Sequence, residues 1–232
     1  MTDDRSASAS GRPPTLLRAT VPRTEGPAVV LIPVFRPGQR LVDLVGALHR
    51  STADPPVVVV DDGSAPGRRG FLDAARAAGA EVVVRSRHGG RRRALRTGLA
   101  HVVAVHPGRG VIAADADGRS TVDDILCVGA VLARMGRITL AVHEASGGTL
   151  RRRHLGDAAA SLATGVTRGR IADAPTGLCG VPADQVAWLS TAGGSRLGLA
   201  LAGRRVPMVR VPIRLPAESR ASQRTVDLAP TL

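Results

Sequence analysis

Aromatic side chains are nearly missing from this chain. Two phenylalanines, one tryptophan and no tyrosine make up about 1% of its 232 residues. The core must therefore be filled by Val, Leu, Ala and Ile, and an apolar content of 44% is enough to do so. The same scarcity removes the platforms on which single-stranded nucleic acid stacks. Lysine is absent altogether, so the formal charge of +13 rests on arginine. Alongside abundant Ala, Gly, Val and Pro, this reads as composition bias, giving a basic surface and phosphate contacts; no nucleic-acid partner is expected. There are two cysteines, Cys127 and Cys179, without metal or redox spacing. They are expected to be reduced, buried thiols of a cytoplasmic protein. No apolar run reaches the roughly 18 residues that suggest a membrane span. The start is polar and acidic at Asp3 and Asp4, unlike a signal peptide.

What is present is an alternation of strand and helix signals between two unpatterned ends. Residues 1–26 read as a disordered leader and 216–232 as a disordered tail, leaving 27–215 as one domain. "AVVLIPVF", "PPVVVVDDGS", "AEVVVRS", "GVIAADADG" and "RITLAVHEA" read as strands. The continuous apolar runs suit strands buried on both faces. "QRLVDLVGALHR", "RRGFLDAARAAG", "RRRALRTGLAHVVAV" and "TVDDILCVGAVLARMG" read as helices between them. Thr121 is expected to cap the last of these and Gly136 to stop it. The alternation predicts a doubly wound, mostly parallel α/β sheet. Ligands of such sheets bind beyond the carboxyl ends of the strands. The chemistry is therefore expected at 33–36, 61–64, 85–91 and 115–119, where the unusual polar residues gather.

Asp115 and Asp117 would share one face if their strand continued, because side chains alternate. Two unneutralised acids repel, so a cation is expected there. A hard divalent ion with oxygen ligands, Mg²⁺ or Mn²⁺ shared with substrate phosphates, fits Asp-x-Asp-Gly. A turn whose acids cap a helix or pair with arginines is the other reading. Asp61 and Asp62 end a second strand, where a carboxylate can accept from a ring N–H or a ribose hydroxyl. An Asp-Gly turn is equally common. "RSRHGGRRRALRTG" sets arginines around two glycines before a helix, a pattern suited to a diphosphate or to a solvated basic face. It is not a Walker loop.

These pieces, in order, resemble a GT-A family 2 glycosyltransferase of the dolichyl-phosphate mannose synthase-like bacterial branch. The matching stretches are "VVLIPVFRPGQRLVDLVGAL", "VVVVDDGS", "HGGRRRALRTGL", "AADADG" with "TVDDI", "DAPTGLCGVP" and "VPMVRVPIR". The resemblance implies a GT-A fold and transfer of a sugar from a nucleotide-sugar donor, often to a polyprenyl phosphate at a membrane surface. It implies that Pro33 and Phe35 flank the base and that Asp61 and Asp62 hold base and ribose. Arg91 stands where the family carries a phosphate-facing lysine, and Asp115 and Asp117 match its metal-binding pair. Asp117 and Asp173 take the catalytic positions. Thr176 and Gly177, with Arg151, Arg152 and Arg153, fall where donor sugar and acceptor phosphate approach.

The departures are specific. Pro-x-Tyr-Asn becomes Pro33-Val34-Phe35-Arg36, and Asn-x-Gly-Lys-Gly becomes His88-Gly89-Gly90-Arg91-Arg92. Arg119 replaces a glutamine after the acidic pair, where it can compete with a metal or take over its charge. The acids expected near residues 195–199 are missing. A second reading follows from these losses: a nucleotide-binding or protein-interaction module without turnover. No transmembrane pair follows the catalytic region, so any membrane contact is expected to be peripheral.

Overall fold

A computed structural model describes residues 26–143, 177–191 and 208–213. Apart from Gly26, the expected leader lies outside these residues, as do the tail, Arg151, Arg152, Arg153, Asp173, Thr176 and the 195–199 stretch. The described elements are β1 (Val29–Val34), α1 (Gln39–His49), β2 (Val57–Asp61), α2 (Arg69–Ala77) after a short 3-10 turn at Pro66–Arg68, and β3 (Glu81–Val84). Next come α3 (Arg91–Val105), β4 (Val111–Ala113), α4 (Val122–Met135), β5 (Ile138–His143), β6 (Cys179–Val181), α5 (Ala183–Thr191) and β7 (Met208–Ile213).

The strands form a single sheet in the order β3-β2-β1-β4-β6-β5-β7. β1 lies parallel to both β2 and β4, β2 to β3, and β5 to β7; β6 alone runs antiparallel, between β4 and β5. This is the mostly parallel α/β sheet expected from the alternation. Strand alternation divides β1 and β2 between two cores. Val30, Ile32, Val57 and Val59 pack with Leu41, Val45 and Leu48 of α1 and Leu72 of α2. Val29, Leu31, Val58 and Val60 pack with Leu95, Leu99 and Val102 of α3. A strand buried on both faces has no polar side, which is why its sequence reads as an unbroken apolar run. The chain moves outward from β1 to β3 and then returns to β4 on the other flank of β1. That reversal opens a crevice at the carboxyl ends of β1 and β4.

Local chemistry sets the helices. Thr121 Oγ1 accepts from the Asp124 N–H at 3.1 Å while Asp124 Oδ2 accepts from the Thr121 N–H at 2.9 Å, a reciprocal capping box. Gly136 ends α4 at φ 56° with its N–H on the Leu132 carbonyl. Gly98 lets α3 lie close to the sheet, because a Cβ there would run into the Leu31 and Val60 side chains. Leu31 and Val60 are fully buried and have nowhere to move. At the far end of α3, His101 and His106 each place Nε2 2.7 Å from a different oxygen of Glu81 on edge strand β3. No helix among the described residues is long and apolar enough to cross a membrane. One cysteine departs from expectation. Cys179 is buried in the sheet, but Cys127 is exposed, because the apolar spacing of α4 turns Ile125, Val128 and Leu132 inward and leaves position 127 outside.

Two outcomes test this packing. Gly98→Ala should lower stability by about 1 kcal/mol or more in denaturant titration, overpacking outweighing the ~1 kcal/mol gain in helix propensity. Burial pushes the Glu81 carboxyl up, but the hydrogen bonds and charges of His101 and His106 outweigh it, leaving the group below its ordinary value. The stabilisation from this clasp is therefore present above the ordinary carboxylate range and lost as pH falls through the lowered value. In acid titration followed by circular dichroism, Glu81→Gln should lose less stability than the parent between those two pH values.

Candidate functional site

Four loops leave the carboxyl edge of the sheet, and they are held together by carboxylates. Asp61 and Asp62 occupy consecutive positions at the end of β2, so they face opposite sides. Asp61 is 1% exposed. It accepts from the Ser64 hydroxyl, and from the Ser64 N–H at 3.2 Å. Ser64 Oγ in turn accepts from the Arg36 N–H at 2.8 Å, which braces Arg36 at φ 58°. Asp61 thus ties the β1 loop to the β2 loop. It lines a separate cavity of about 400 Å³ against α2, together with Arg69 and Leu72.

Asp62 faces α3 and is 2% exposed. Its carboxylate takes the Gly90 N–H at 2.6 Å, the Gly89 N–H at 3.1 Å and the Arg85 guanidinium, with His88 Nδ1 2.9 Å away. A buried carboxylate needs this many donors. The consequence is that the glycine-rich loop folds around Asp62 and α3 starts at Arg91. From there the Arg91 side chain reaches across the crevice. Its Nε donates to Asp115 Oδ1 at 2.9 Å and its Nη2 to the Gly177 carbonyl at 2.9 Å. Gly177 sits at φ 71°, and a Cβ there would strike the Asp115 carboxylate. Only glycine satisfies both constraints. Cys179 lies two residues on; burial pushes its thiol up to about 11 against the opposing pull of Arg91, so it stays protonated.

β4 ends at Ala113, two residues before the acidic pair. Asp115 and Asp117 are therefore brought to one wall by a turn, not by strand alternation. Each meets an arginine. Arg119 donates through its backbone N–H to Asp117 Oδ1 at 2.9 Å and through Nε to Oδ2 at 2.6 Å. Arg40 Nη1 donates to the Asp117 carbonyl at 2.8 Å and so holds the turn from α1.

A cavity of about 540 Å³ is lined by Arg40, His88 and most of these groups, but not by Arg119 or Gly177. Of the residues singled out in the sequence, Pro33, Phe35, Asp62, Arg91, Asp115 and Asp117 line it, and Asp61 does not. Phe35 is 45% exposed at the rim. Its ring lies against His88 with centroids 4.1 Å apart, and the Arg36 guanidinium stands 5.2 Å above it. His88 and Arg40 escape sequence reasoning. His88 lies in the His-Gly-Gly-Arg stretch and Arg40 in the helix signal after β1, but neither has a role assigned there, because their contacts depend on loops from distant strands. Among the described residues, no group of three or more His, Cys, Asp or Glu side chains is placed to hold a metal ion. Two carboxylates with oxygen donors fit a cation that takes its other ligands from substrate phosphates, as Mg²⁺ and Mn²⁺ do, and do not form a full protein cage.

The architecture matches known structures. Glucosyl-3-phosphoglycerate synthase from Mycobacterium tuberculosis, in complex with Mn²⁺, UDP and glucosyl-3-phosphoglycerate, superposes with a TM-score of 0.56 at 16% identity, covering 91% of this chain and 81% of that one. This chain has the GT-A fold. The same synthase with phosphoglyceric acid gives 0.55 at 19% identity, over 89% and 77%. The mannosyltransferase PcManGT from Pyrobaculum calidifontis, with GDP-Man and Mn²⁺, gives 0.55 at 17% identity, over 87% and 61%. No family model matches the sequence, and no curated protein matches it.

The Asp62 cluster makes a stability prediction. Asp62→Ala strands the Gly89 and Gly90 N–H groups and the Arg85 charge. It should cost about 3 kcal/mol in denaturant unfolding. Hydrogen exchange should speed up at Gly89 and Gly90 before the rest of the sheet.

Proposed function

We propose that this chain is a glycosyltransferase moving a sugar from a UDP- or GDP-linked donor to a phosphate-bearing acceptor. The observation that carries this reading is the convergence of Pro33, Phe35, Asp62, Arg91, Asp115 and Asp117, from three strand ends and one helix start, on a single cavity. Solved proteins of the same fold hold UDP or GDP-Man with Mn²⁺, which supports a nucleoside diphosphate as the occupant. In this reading the base lies between Pro33 and Phe35, and the exposed ring supplies a stacking face. Asp62 orders the glycine-rich loop around base and ribose, while Asp61 braces the β1 and β2 loops beside it. Arg91 receives the diphosphate at the start of α3, where the helix dipole also favours an anion.

Asp115 and Asp117 would hold Mg²⁺ or Mn²⁺, whose Lewis acidity favours departure of the nucleoside diphosphate. Asp117 and Asp173 are the proposed catalytic acids. Thr176 and Gly177, with Arg151, Arg152 and Arg153, are proposed to receive the acceptor phosphate. An acceptor that is already anionic needs little deprotonation, which suits a chain lacking acids near 195–199. A polyprenyl phosphate presented at a membrane face, with the protein bound peripherally through its arginines, is the acceptor suggested by the dolichyl-phosphate mannose synthase-like motifs. The phosphoglyceric acid held by the structural neighbour favours a small phosphorylated acid instead. One observation favours a second reading. Asp115 and Asp117 are already paired to arginine, as in a module that binds nucleotide or a protein partner without turnover.

Calorimetric titration with UDP- and GDP-sugars, with and without Mn²⁺, tests the assignment. Donor binding that strengthens with Mn²⁺, and disappears in Asp117→Ala, is expected. Consumption of donor on adding a phosphate-bearing acceptor separates turnover from binding alone. If Asp117→Ala binds donor normally in Mn²⁺, the metal does not sit on Asp117.

A further inference from the structure

The two acids of the cavity wall carry a charge of −2, and two guanidinium groups already balance it. Arg91 holds Asp115 at 2.9 Å, and Arg119 holds Asp117 at 2.6 Å with its own N–H on the second oxygen. A dication entering this wall meets carboxylates already matched by guanidinium groups, with the Arg40 guanidinium beside them as a further like charge. A nucleoside diphosphate changes that balance, because its oxygens match guanidinium forks better than a single carboxylate contact does.

We infer that Arg119, with Arg91, keeps the acidic pair closed to divalent cations until a diphosphate draws the guanidinium groups away. The inference rests on the donor reading above and deepens it. Each arginine exchanges a carboxylate for a phosphate, and each carboxylate exchanges an arginine for the metal, so charge stays matched throughout. The exchange is feasible because the backbone turn at Asp117 is held without the Arg119 guanidinium. The Asp117 carbonyl is held from α1 by Arg40 at 2.8 Å. Arg119 is also half exposed, so its side chain can swing without opening the core. Metal and nucleotide binding are then coupled, and the coupling is the same whichever arrives first.

The test is Mn²⁺ binding to the full chain, read from the paramagnetic resonance signal of free Mn²⁺. Without nucleotide, Arg119→Gln should bind Mn²⁺ about fivefold more tightly than the parent, the most an exposed ion pair provides. With UDP or GDP, counted against the Mn²⁺ each nucleotide takes up in buffer, the parent should tighten more than the variant by that same factor. The double variant Asp117→Asn, Arg119→Gln should lose the gain, which assigns it to Asp117. Arg119→Gln binding Mn²⁺ no more tightly than the parent, with its circular dichroism unchanged, overturns the inference. The nucleotide-free comparison decides this even if neither UDP nor GDP binds, a result that would instead overturn the donor reading.

Discussion

The buried carboxylate of Asp62 is the constraint from which the crevice follows. It must be surrounded by donors, and the nearest ones belong to the loop after β3: Arg85, Gly89 and Gly90. Satisfying it folds that loop inward and fixes where α3 begins. Arg91 is then the first residue of a helix pointing into the crevice, and Asp115 and the Gly177 carbonyl lie within its reach. Loops after β2, β3 and β4 and the entry to β6 are thus joined by one chain of charge-assisted bonds. Asp61 does the corresponding work on the other face, through Ser64 and Arg36.

Arginine is the only strong cation available, and the crevice uses it in two ways. Arg85 is structural, with its charge spent on Asp62. Arg91, Arg119 and Arg40 stand around Asp115 and Asp117, where their partners are more exposed and exchangeable. Where a metal-binding wall would present bare oxygens, this one presents oxygens already matched by guanidinium groups. The balance of charge, not the count of acids, therefore governs what can enter.

Much of the fold was legible. Unbroken apolar runs placed β1 and β2, because burial on both faces leaves no polar position. Thr121 and Gly136 marked both ends of α4 through local hydrogen bonding and a positive φ. β6, α5 and β7 were not assigned from pattern. A three-residue strand such as Cys179–Val181 has too short a period to detect and exists through its antiparallel partners β4 and β5. Cys127 was misplaced because an isolated cysteine carries no periodicity of its own.

The sequence by itself determined the layering, the order of elements and the four strand ends where polar residues collect, since these follow from periodicity and local caps. Only the tertiary structure decided what those residues face. Asp61 and Asp62 diverge because adjacent strand positions point apart. Asp115 and Asp117 converge because β4 stops at Ala113 and the chain turns. Arg119 lies two residues from Asp117, within reach of the sequence, but Arg91 lies 24 residues from Asp115. Long-range pairing of this kind depends on how far the folded backbone lets a guanidinium reach, and no local pattern encodes that distance.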